Sequence, residues 1–520
     1  MKRVLIALFV LLSFNGYGQN VLDNIEVVFG PSFEVDKRSV PTEFVGSDET
    51  GFYMVYSMGK KGFGDNYLYK FGYDLKPLIN KDLSVLTGGQ KTEADNVFML
   101  KGQLYQINRL IGPNSAMVYL HKIDHETLEA GAGRQIAGMS DTERSASRSN
   151  LSVKFSLDSS KIAVVYTLPN KRKDFESFEA NVFDSDFNKL WSQTFELPYE
   201  NRLLDIQDYT LSNDGKLFIT ARRFYNTRRM KSEGEANYDY LLLSFLESGK
   251  IDSLNIQSEG KYLRSMRVDV SENGDVVSAG FYSENSSNGL GGAFYLRING
   301  ENGEVVSSSF KRFDIDFHTE NMTENKVKRV KKRADQGKNV ELPHYFIDEF
   351  IAKPDGGVQM IGEKRLEITT YISSGLITVP TTTYYYDDIV VVDIDSEGQI
   401  KWAKRVAKKQ QTTDDGAVYS SYSASITDNS LAFVFNDHAD NLDYDGVGKV
   451  ARMSKNKSTV VMAATVNSKG EIEKKGLFRR GEAEIKIRPA LSQQLNDKEM
   501  LLFGHNTVRN QRFVIIKFEQ

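Results

Sequence analysis

Short runs that alternate apolar and polar residues, each broken by a cluster of Gly, Asp, Asn or Ser, follow one another along this chain after residue ~40. Some runs are continuously β-branched or aromatic and too short for typical helices, as at residues 161–166, 239–243, 389–393 and 500–503. Such runs are typical of strands in sheets that are buried on both faces. The pattern therefore predicts β-strands throughout.

Turn signals group these strands into pairs of hairpins. The first hairpins turn at residues 48–51, 101–102, 158–160, 213–215, 272–274, 354–357, 428–430 and 496–498. The second hairpins turn at residues 72–74, 124–126, 184–188, 247–249, 299–303, 395–398 and 467–470. These residue types tolerate the positive φ that tight hairpins need. A unit of four strands thus recurs eight times, and the last copy lacks its second turn.

The last unit supplies three strands and ends at residues 513–518, whereas a strand at residues 25–29 or 33–35 has no partner nearby in the sequence. The sequence therefore predicts an all-β fold, an eight-bladed β-propeller of four-stranded blades whose last blade is closed by the N-terminal strand. Closure in this way removes an exposed sheet edge. Residues 19–520 would form one domain.

The N-terminus and the composition indicate the compartment. Residues 1–18 have the basic start, apolar middle and small-residue exit of a secretory signal peptide, and the apolar stretch is too short to span a bilayer. The chain has no Cys, so neither disulfides nor a lipidated Cys are available. A formal net charge of −4 argues against nucleic acid as the partner. We expect an exported protein without a membrane span in the mature chain.

One part of the chain resembles a known group of proteins. Residues 386–402, 408–411, 415–416, 420–422 and 435–437 are similar to uncharacterised secreted propeller-like proteins of the Bacteroidota. The resemblance covers about a seventh of the chain and implies a fold and a compartment, the periplasm or the outer membrane, with an extracellular location as the alternative. It implies no activity.

Candidate metal ligands occur in one acidic segment, residues 436–446. Asn441, Asp443, Asp445 and Gly446 stand at positions one, three, five and six of a calcium loop, but position twelve is Arg452 instead of an acid. Calcium is a possible ligand, and a solvated acidic loop is the alternative. His121 and His125 straddle a strand end and a turn, which does not favour zinc. No other cofactor is expected.

Two insertions interrupt the repeat. Residues 318–342 predict a helix that is capped by Thr323 and ended by Gly337, with Val327, Val330 and Ala334 at helical spacing. Its cations are Lys326, Lys328, Arg329, Lys331, Lys332 and Arg333. They predict either a solvated rim helix or a docking element for an acidic partner or anionic lipid headgroups.

The second insertion, residues 367–383, predicts a projecting hairpin that leads into Tyr384, Tyr385 and Tyr386. These tyrosines could either contact a partner or begin the third strand of their blade.

Propellers usually bind ligands in the central channel, where the innermost strand of each blade presents polar side chains. The candidates are Glu43, Asp95, Asn150, Asp208, Arg267, Asp348, Tyr422 and Arg488. They could coordinate a ligand or only pair with one another, and two carboxylates at a suitable separation could hydrolyse a glycoside.

We find no nucleophile elbow, phosphate-binding loop or zinc-protease motif in the sequence. Since enlarged loops on a rigid scaffold commonly carry recognition, we expect a non-catalytic binding or scaffold subunit of a bacterial envelope complex. A carbohydrate-active or ligand-binding channel is the alternative.

Overall fold

The computed structural model describes residues 25–518 except 37, 61–62, 88, 113–114, 140–149, 169–173, 230, 233–234, 257–259, 285–288, 301, 375–376, 428–429, 447, 455–457 and 506–508. The predicted signal peptide, residues 1–18, lies outside the described residues. Within these ranges, no helix combines the length and the apolar character that crossing a bilayer requires.

The described chain is organised as consecutive antiparallel sheets of four strands, in which each strand pairs with the next along the chain. The first two sheets comprise Ser39–Asp48, Gly51–Lys60, Phe63–Phe71 and Pro77–Asp82, then Ala94–Leu100, Gln103–Ile111, Ala116–Ile123 and Arg134–Met139. The third and fourth comprise Leu151–Phe155, Lys161–Thr167, Phe175–Asp184 and Lys189–Glu200, then Leu204–Leu211, Leu217–Phe224, Tyr238–Phe245 and Ile251–Ile256.

The next two sheets are interrupted by the insertions. The fifth comprises Tyr262–Val270, Val276–Ser283, Gly292–Ile298 and Val305–Arg312, and the sixth comprises Tyr345–Ala352, Val358–Ser374, Ile377–Ile394 and Ile400–Val406, with Gln410–Thr413 added to its third strand. The seventh comprises Ser423–Ile426, Ser430–His438, Thr459–Asn467 and Ile472–Arg479. All-β character and four-stranded antiparallel sheets are confirmed predictions.

The eighth sheet brings the two ends of the described chain together. Lys486–Ile487 and Gln493–Asn496 both pair with Glu499–His505, which pairs with Asn510–Phe518. Ile25–Phe29 pairs antiparallel with that last strand, with Val27 opposite Ile516, and Phe33–Glu34 pairs farther along it. The edge that the third strand would otherwise expose is therefore covered.

Apolar side chains fill the spaces between sheets. Among the described residues there are eight hydrophobic clusters, each with members from two consecutive sheets. One of them joins the eighth sheet to the first, where the Phe513 ring lies 4.9 Å from that of Phe52 and 4.8 Å from that of Phe71. This arrangement is consistent with a β-propeller.

The remaining elements are short. The helices are α1, Ile315–Thr319, α2, Glu324–Asp335, and α3, Arg480–Ala483, with single 3-10 turns at Ala439–Asn441 and Pro489–Leu491. Short two-stranded ladders join Val85–Thr87 to Gln90–Thr92, Lys231–Ser232 to Glu235–Ala236, and Gly289–Leu290 to Leu342–Pro343.

Strand direction places the insertions on one face. In a four-stranded meander, the loop between the second and third strands and the crossover to the next sheet leave from the same end of the sheet. We call this end the crossover face. It carries helices α1 and α2, the hairpin of the sixth sheet, and the loops at 407–422 and 439–458. The elaborations predicted from sequence thus cluster beside the fifth, sixth and seventh sheets.

Candidate functional site

The first strands of the sheets are positioned to present polar side chains inward. They contact one another between neighbouring sheets, whereas the fourth strands have many exposed residues. Five first strands carry β-bulges, which leave residues outside the regular pairing. These residues are Thr42, Val45, Asp95, Gln207, Arg264 and Asp348. A bulge turns side chains away from the regular alternation of a strand. Such bulges recur in the first strands of five sheets.

Three of the predicted channel acids are occupied by cations of the protein itself. Asp95 Oδ2 accepts from Arg109 Nε at 2.9 Å, within the second sheet. Asp208 accepts from Lys154 Nζ at 2.9 Å, which joins the fourth sheet to the third. Asp348 pairs with Arg365. These pairs satisfy both partners, and the three cations lie outside the set of predicted channel residues.

Tyr422 and Arg267 bridge neighbouring sheets. Tyr422 is fully buried, and its hydroxyl donates to Asp348 Oδ2 at 3.0 Å, so it is not a solvent-facing channel residue. Arg267 Nη2 donates to the Ile347 carbonyl of the sixth sheet at 3.3 Å. Asn150 is exposed, and its backbone N–H donates to Thr167 Oγ1 at 3.0 Å.

Two inner carboxyl groups have raised pKa values. The Glu43 side chain is exposed to solvent, yet the surrounding protein raises the pKa of its carboxyl group, which is the situation of an acid inside a concave surface. Burial, with a contribution from the charge of Asp208, raises the pKa of Asp269 to about 6. Within the described chain only the neighbouring Val270 N–H donates to Asp269, at 2.8 Å. Sequence reasoning missed Asp269, although it lies two residues from Arg267 and therefore on the same face of its strand.

Arg488 lies in a different environment from the paired arginines. Its Nε is buried without a hydrogen-bond partner, and burial lowers its pKa, opposed only by the Tyr419 and Tyr56 hydroxyls. Tyr419 Oη lies 2.7 Å from His505 Nε2, while His505 Nδ1 is buried and unpartnered. Burial and the nearby Arg488 lower the pKa of His505 to about 4, so its ring is neutral near pH 7. The cluster is cationic and has no acidic partner for Arg488 among the described residues.

The candidate calcium loop is organised by its own side chains. Asn441 is buried, its Oδ1 accepts from the Ala451 N–H at 2.7 Å, and its Nδ2 donates to Asp437 Oδ1 at 2.8 Å. Asp443 and Asp445 are exposed. No cluster of three or more His, Cys, Asp and Glu side chains suited to a metal occurs in the described ranges. Asn441 therefore fastens the loop, and calcium stays a prediction for the two aspartates.

The basic insertion is anchored by α1 and exposed along α2. Phe317 and His318 of α1 are buried, and Arg405 of the sixth sheet donates to both of their carbonyls, at 3.2 and 3.4 Å. Helix α2 lies within the predicted segment, but Thr323 caps it through its carbonyl, which accepts from the Lys326 and Val327 N–H groups, and not through its side chain. Gly337 follows at φ 67°, as its position after the helix requires.

All six cations of α2 are exposed, and its three predicted apolar positions are half-buried. Among the described residues, the one acid in ion-pair range of these cations is Asp316, 3.4 Å from Lys331. The positive surface extends beyond the helix to Lys409. The pKa of Lys409 is lowered by burial and by the charges of Arg452, Lys326 and Lys364, and only Asp387 opposes them. We call α2 together with Lys364, Lys409 and Arg452 the basic surface.

Residues 367–383 form part of a hairpin, with Glu367 opposite Tyr384 and Thr369 opposite Thr382. Residues 384–386 lie within the third strand of the sixth sheet, so the tyrosines belong to that strand, the second of the two alternatives predicted from sequence. Tyr385 is half-buried, with the Arg452 guanidinium 5.8 Å from its ring centre. The aromatic residue that projects from this hairpin is instead Tyr371, which is 71% exposed.

Comparison with known proteins leaves the family open. No family model matches the chain, and no curated protein matches it. Solved structures similar to it include the Nup133 β-propeller domain of Vanderwaltozyma polyspora, at 11% identity over 82% of this chain and 99% of that domain, with a TM-score of 0.35. A prolyl endopeptidase has 10% identity over 83% of this chain and a TM-score of 0.34, and the match spans about half of that enzyme, 47%.

A Synechocystis apocarotenoid oxygenase mutant has 8% identity over 70% of this chain and 71% of its own, with a TM-score of 0.34. Likenesses this distant support no inference about activity.

Proposed function

We propose that this chain is a closed, eight-bladed β-propeller that acts as a non-catalytic scaffold or binding subunit of a bacterial envelope complex and docks an acidic protein through its basic surface. Closure is supported by the pairing of Ile25–Phe29 with Asn510–Phe518 and by the hydrophobic cluster between the eighth and first sheets. A closed ring gives a rigid platform on which long loops can be presented. Export is supported by the signal-like pattern of residues 1–18.

The observation that carries the docking proposal is the exposure of all six cations of α2 on a helix that α1 fixes to the sheets. The helix itself contains only two acids, Glu324 and Asp335. Like charges held together on one helix repel one another, so an arrangement of this kind is favoured when a partner supplies the opposite charge. The half-buried stripe of α2 is narrow, which favours a protein surface over insertion into lipid.

The test is a charge reversal with a matched control. One variant replaces Lys328, Arg329, Lys332 and Arg333 with Glu, and the control replaces four exposed lysines at or beside hairpin turns on the opposite face, Lys250, Lys401, Lys469 and Lys498, with Glu. Both variants change the net charge equally, so a general charge effect would appear in both.

The assay is zero-length carbodiimide crosslinking of envelope extract followed by mass spectrometry, because this reagent joins lysines only to carboxylates in direct contact. We expect stoichiometric crosslinks from α2 lysines to Asp or Glu of one partner, weakened by salt, lost in the α2 variant and retained in the control. Equal capture by both variants, or the absence of α2 crosslinks, would contradict the proposal. Binding of the α2 region to anionic vesicles without any protein partner would also reject it.

A second candidate is a channel that binds carbohydrate, and the Arg488 cluster favours it. A half-buried guanidinium with no acid nearby is suited to a carboxylate, since a buried cation without a counter-charge is costly. Titration of the protein with glucuronate, and with glucose as the uncharged control, measures whether the Arg488 cluster binds a sugar carboxylate. Glucuronate binding that Arg488→Gln removes supports the channel, and equal responses to both sugars, or none, reject it.

A further inference from the structure

A cavity lies between the basic insertion and the end of the fifth sheet, and helix α2 contributes Ala334 to its wall. It has a volume of about 560 Å³, which is within the range of small-molecule sites. Its wall combines the end of the fifth sheet, helix α1, and the segment from Ala334 to Val340. Phe313, Ile315 and Val340 give it apolar walls, while Arg312, Lys338 and Glu284 stand at its polar side.

His318 is the unexplained residue of this cavity. It is 2% exposed, and neither of its ring nitrogens has a hydrogen-bond partner. Burial, followed by the charges of Arg312 and Arg405, lowers its pKa to about 4, so the ring is neutral and offers one donor and one acceptor. Both ring nitrogens are also closed off from solvent, so His318 contributes the body of its ring, and not a hydrogen bond, to the wall of the cavity.

The charges around the cavity favour an anion. Arg312 Nη2 makes a long contact, 3.4 Å, with the neutral Asn339 Oδ1, and Lys338 is exposed. Neither cation has an acid within ion-pair distance in the described part of the chain. The nearby carboxylate of Glu341 is already bonded, since it accepts from Ser283 Oγ at 2.6 Å and from the Glu284 N–H at 2.8 Å. The charged residues that line the cavity are two cations, Arg312 and Lys338, and one acid, Glu284, so the lining carries a net positive charge.

We propose that this cavity binds a small organic anion whose carboxylate pairs with Arg312 and whose apolar body packs on Phe313, beside the His318 ring. An aromatic or aliphatic carboxylic acid meets these requirements, and a fully hydrated ion such as phosphate does not use the apolar wall. The site is separate from the proposed docking contact, because the cations exchanged in that experiment lie on α2 and not in the cavity wall.

The probe is benzoate, with benzamide as the neutral control of the same shape. The protein has six histidines, so ¹⁵N-histidine labelling gives a simple spectrum, in which His318→Gln identifies the His318 signals. We expect saturable shifts of these signals with benzoate and not with benzamide. Arg312→Gln should weaken binding about tenfold, the usual effect of losing one charge-assisted hydrogen bond. Ala334→Phe, which fills the cavity from α2, should abolish binding.

The control variant, Arg329→Gln, changes a cation of α2 that does not line the cavity and should leave benzoate binding unchanged. No saturable shift of His318, equal binding of benzamide, or unchanged affinity in both Arg312→Gln and Ala334→Phe would overturn the proposal. Absence of α2 crosslinks in the wild-type protein, with benzoate binding retained, would reject the docking proposal alone. Crosslinking to a partner without benzoate binding would reject the cavity proposal alone.

Discussion

The buried pair of Lys408 and Glu363 predicts a large and specific loss of stability when one charge is removed. Both side chains are fully buried, with Nζ 2.7 Å from Oε1. Lys408 also donates to the Tyr386 carbonyl and to Gln410 Oε1, each at 3.0 Å. Glu363 Oε1 has no well-directed hydrogen bond, so the attraction of the ammonium holds it in place. Lys408→Met removes that attraction and leaves the carboxylate buried, with Arg365 Nε, 3.9 Å from Oε2, as the one cation still in ion-pair range among the described residues.

The expected magnitude follows from the burial of the pair. Removing one partner of a buried pair costs about 3–5 kcal/mol, mostly from the uncompensated charge that remains. The unfolding entropy of a 520-residue chain is about 1 kcal/mol per kelvin at Tm. The substitution should therefore lower Tm by about 3–5 °C. In the double variant with Glu363→Gln, both charges are gone, and most of this loss should be recovered because buried pairs are worth little against neutral replacements.

Circular dichroism melts at one scan rate measure these values for the wild type, both single variants and the double variant, and the cycle isolates the coupling between the two groups. Ser421 Oγ donates to Glu363 Oε2 at 2.8 Å and can still donate to a glutamine oxygen, so the double variant keeps this contact. Two results would contradict the predicted role of the buried pair: a Tm change below about 1 °C for Lys408→Met, or a double variant that is less stable than Lys408→Met.

Two further predictions concern the inner strands. The Asp269 carboxyl is protonated up to a pH of about 6 in the folded protein but only to about 4 in the unfolded chain, so stability should fall as pH rises through this interval. In thermal melts across pH, Asp269→Asn should therefore have the Tm of the wild type below pH 4 and a Tm about 2–3 °C higher at pH 7. A difference in Tm that is the same at all pH values would contradict the assignment. A Cβ at Gly280 would lie 1.9 Å from the Ser265 carbonyl oxygen, so Gly280→Ala should lower Tm by several degrees or prevent folding. Gly481→Ala is the control and should do neither, because a Cβ at Gly481 has no atom within 4 Å. Equal melts for the two alanine variants would contradict this packing.

Sequence was sufficient for elements that local chemistry determines. The recurring turn clusters located the hairpins, and residues 318–342 contained helix α2 because Val327, Val330 and Ala334 recur at helical spacing. The role of the N-terminal strand was predicted from a missing partner, and the structure pairs it with the last strand.

Sequence was insufficient where the role of a residue depends on a distant partner. Asp208 was a candidate ligand-binding residue of the channel, but it accepts a hydrogen bond from Lys154, which comes from another sheet. Tyr422 has the polar hydroxyl of a channel residue, yet burial and Asp348 fix it inside. The altered pKa values of Asp269 and His318 have no local sequence signal, because they arise from burial in the assembled structure.

An engineered disulfide tests the proposed closure of the ring by the N-terminal strand. Glu26 lies opposite Lys517 in the register, with an ion pair of 2.9 Å, and opposed residues in antiparallel strands are within disulfide range. The chain has no Cys of its own, so Glu26→Cys with Lys517→Cys gives a single possible bond, and Glu26→Cys with Lys401→Cys is the control. After mild oxidation and proteolysis, mass spectrometry should find the 26–517 crosslink in nearly all molecules and none in the control. Free thiols in the first variant, or equal crosslinking in both, would contradict closure.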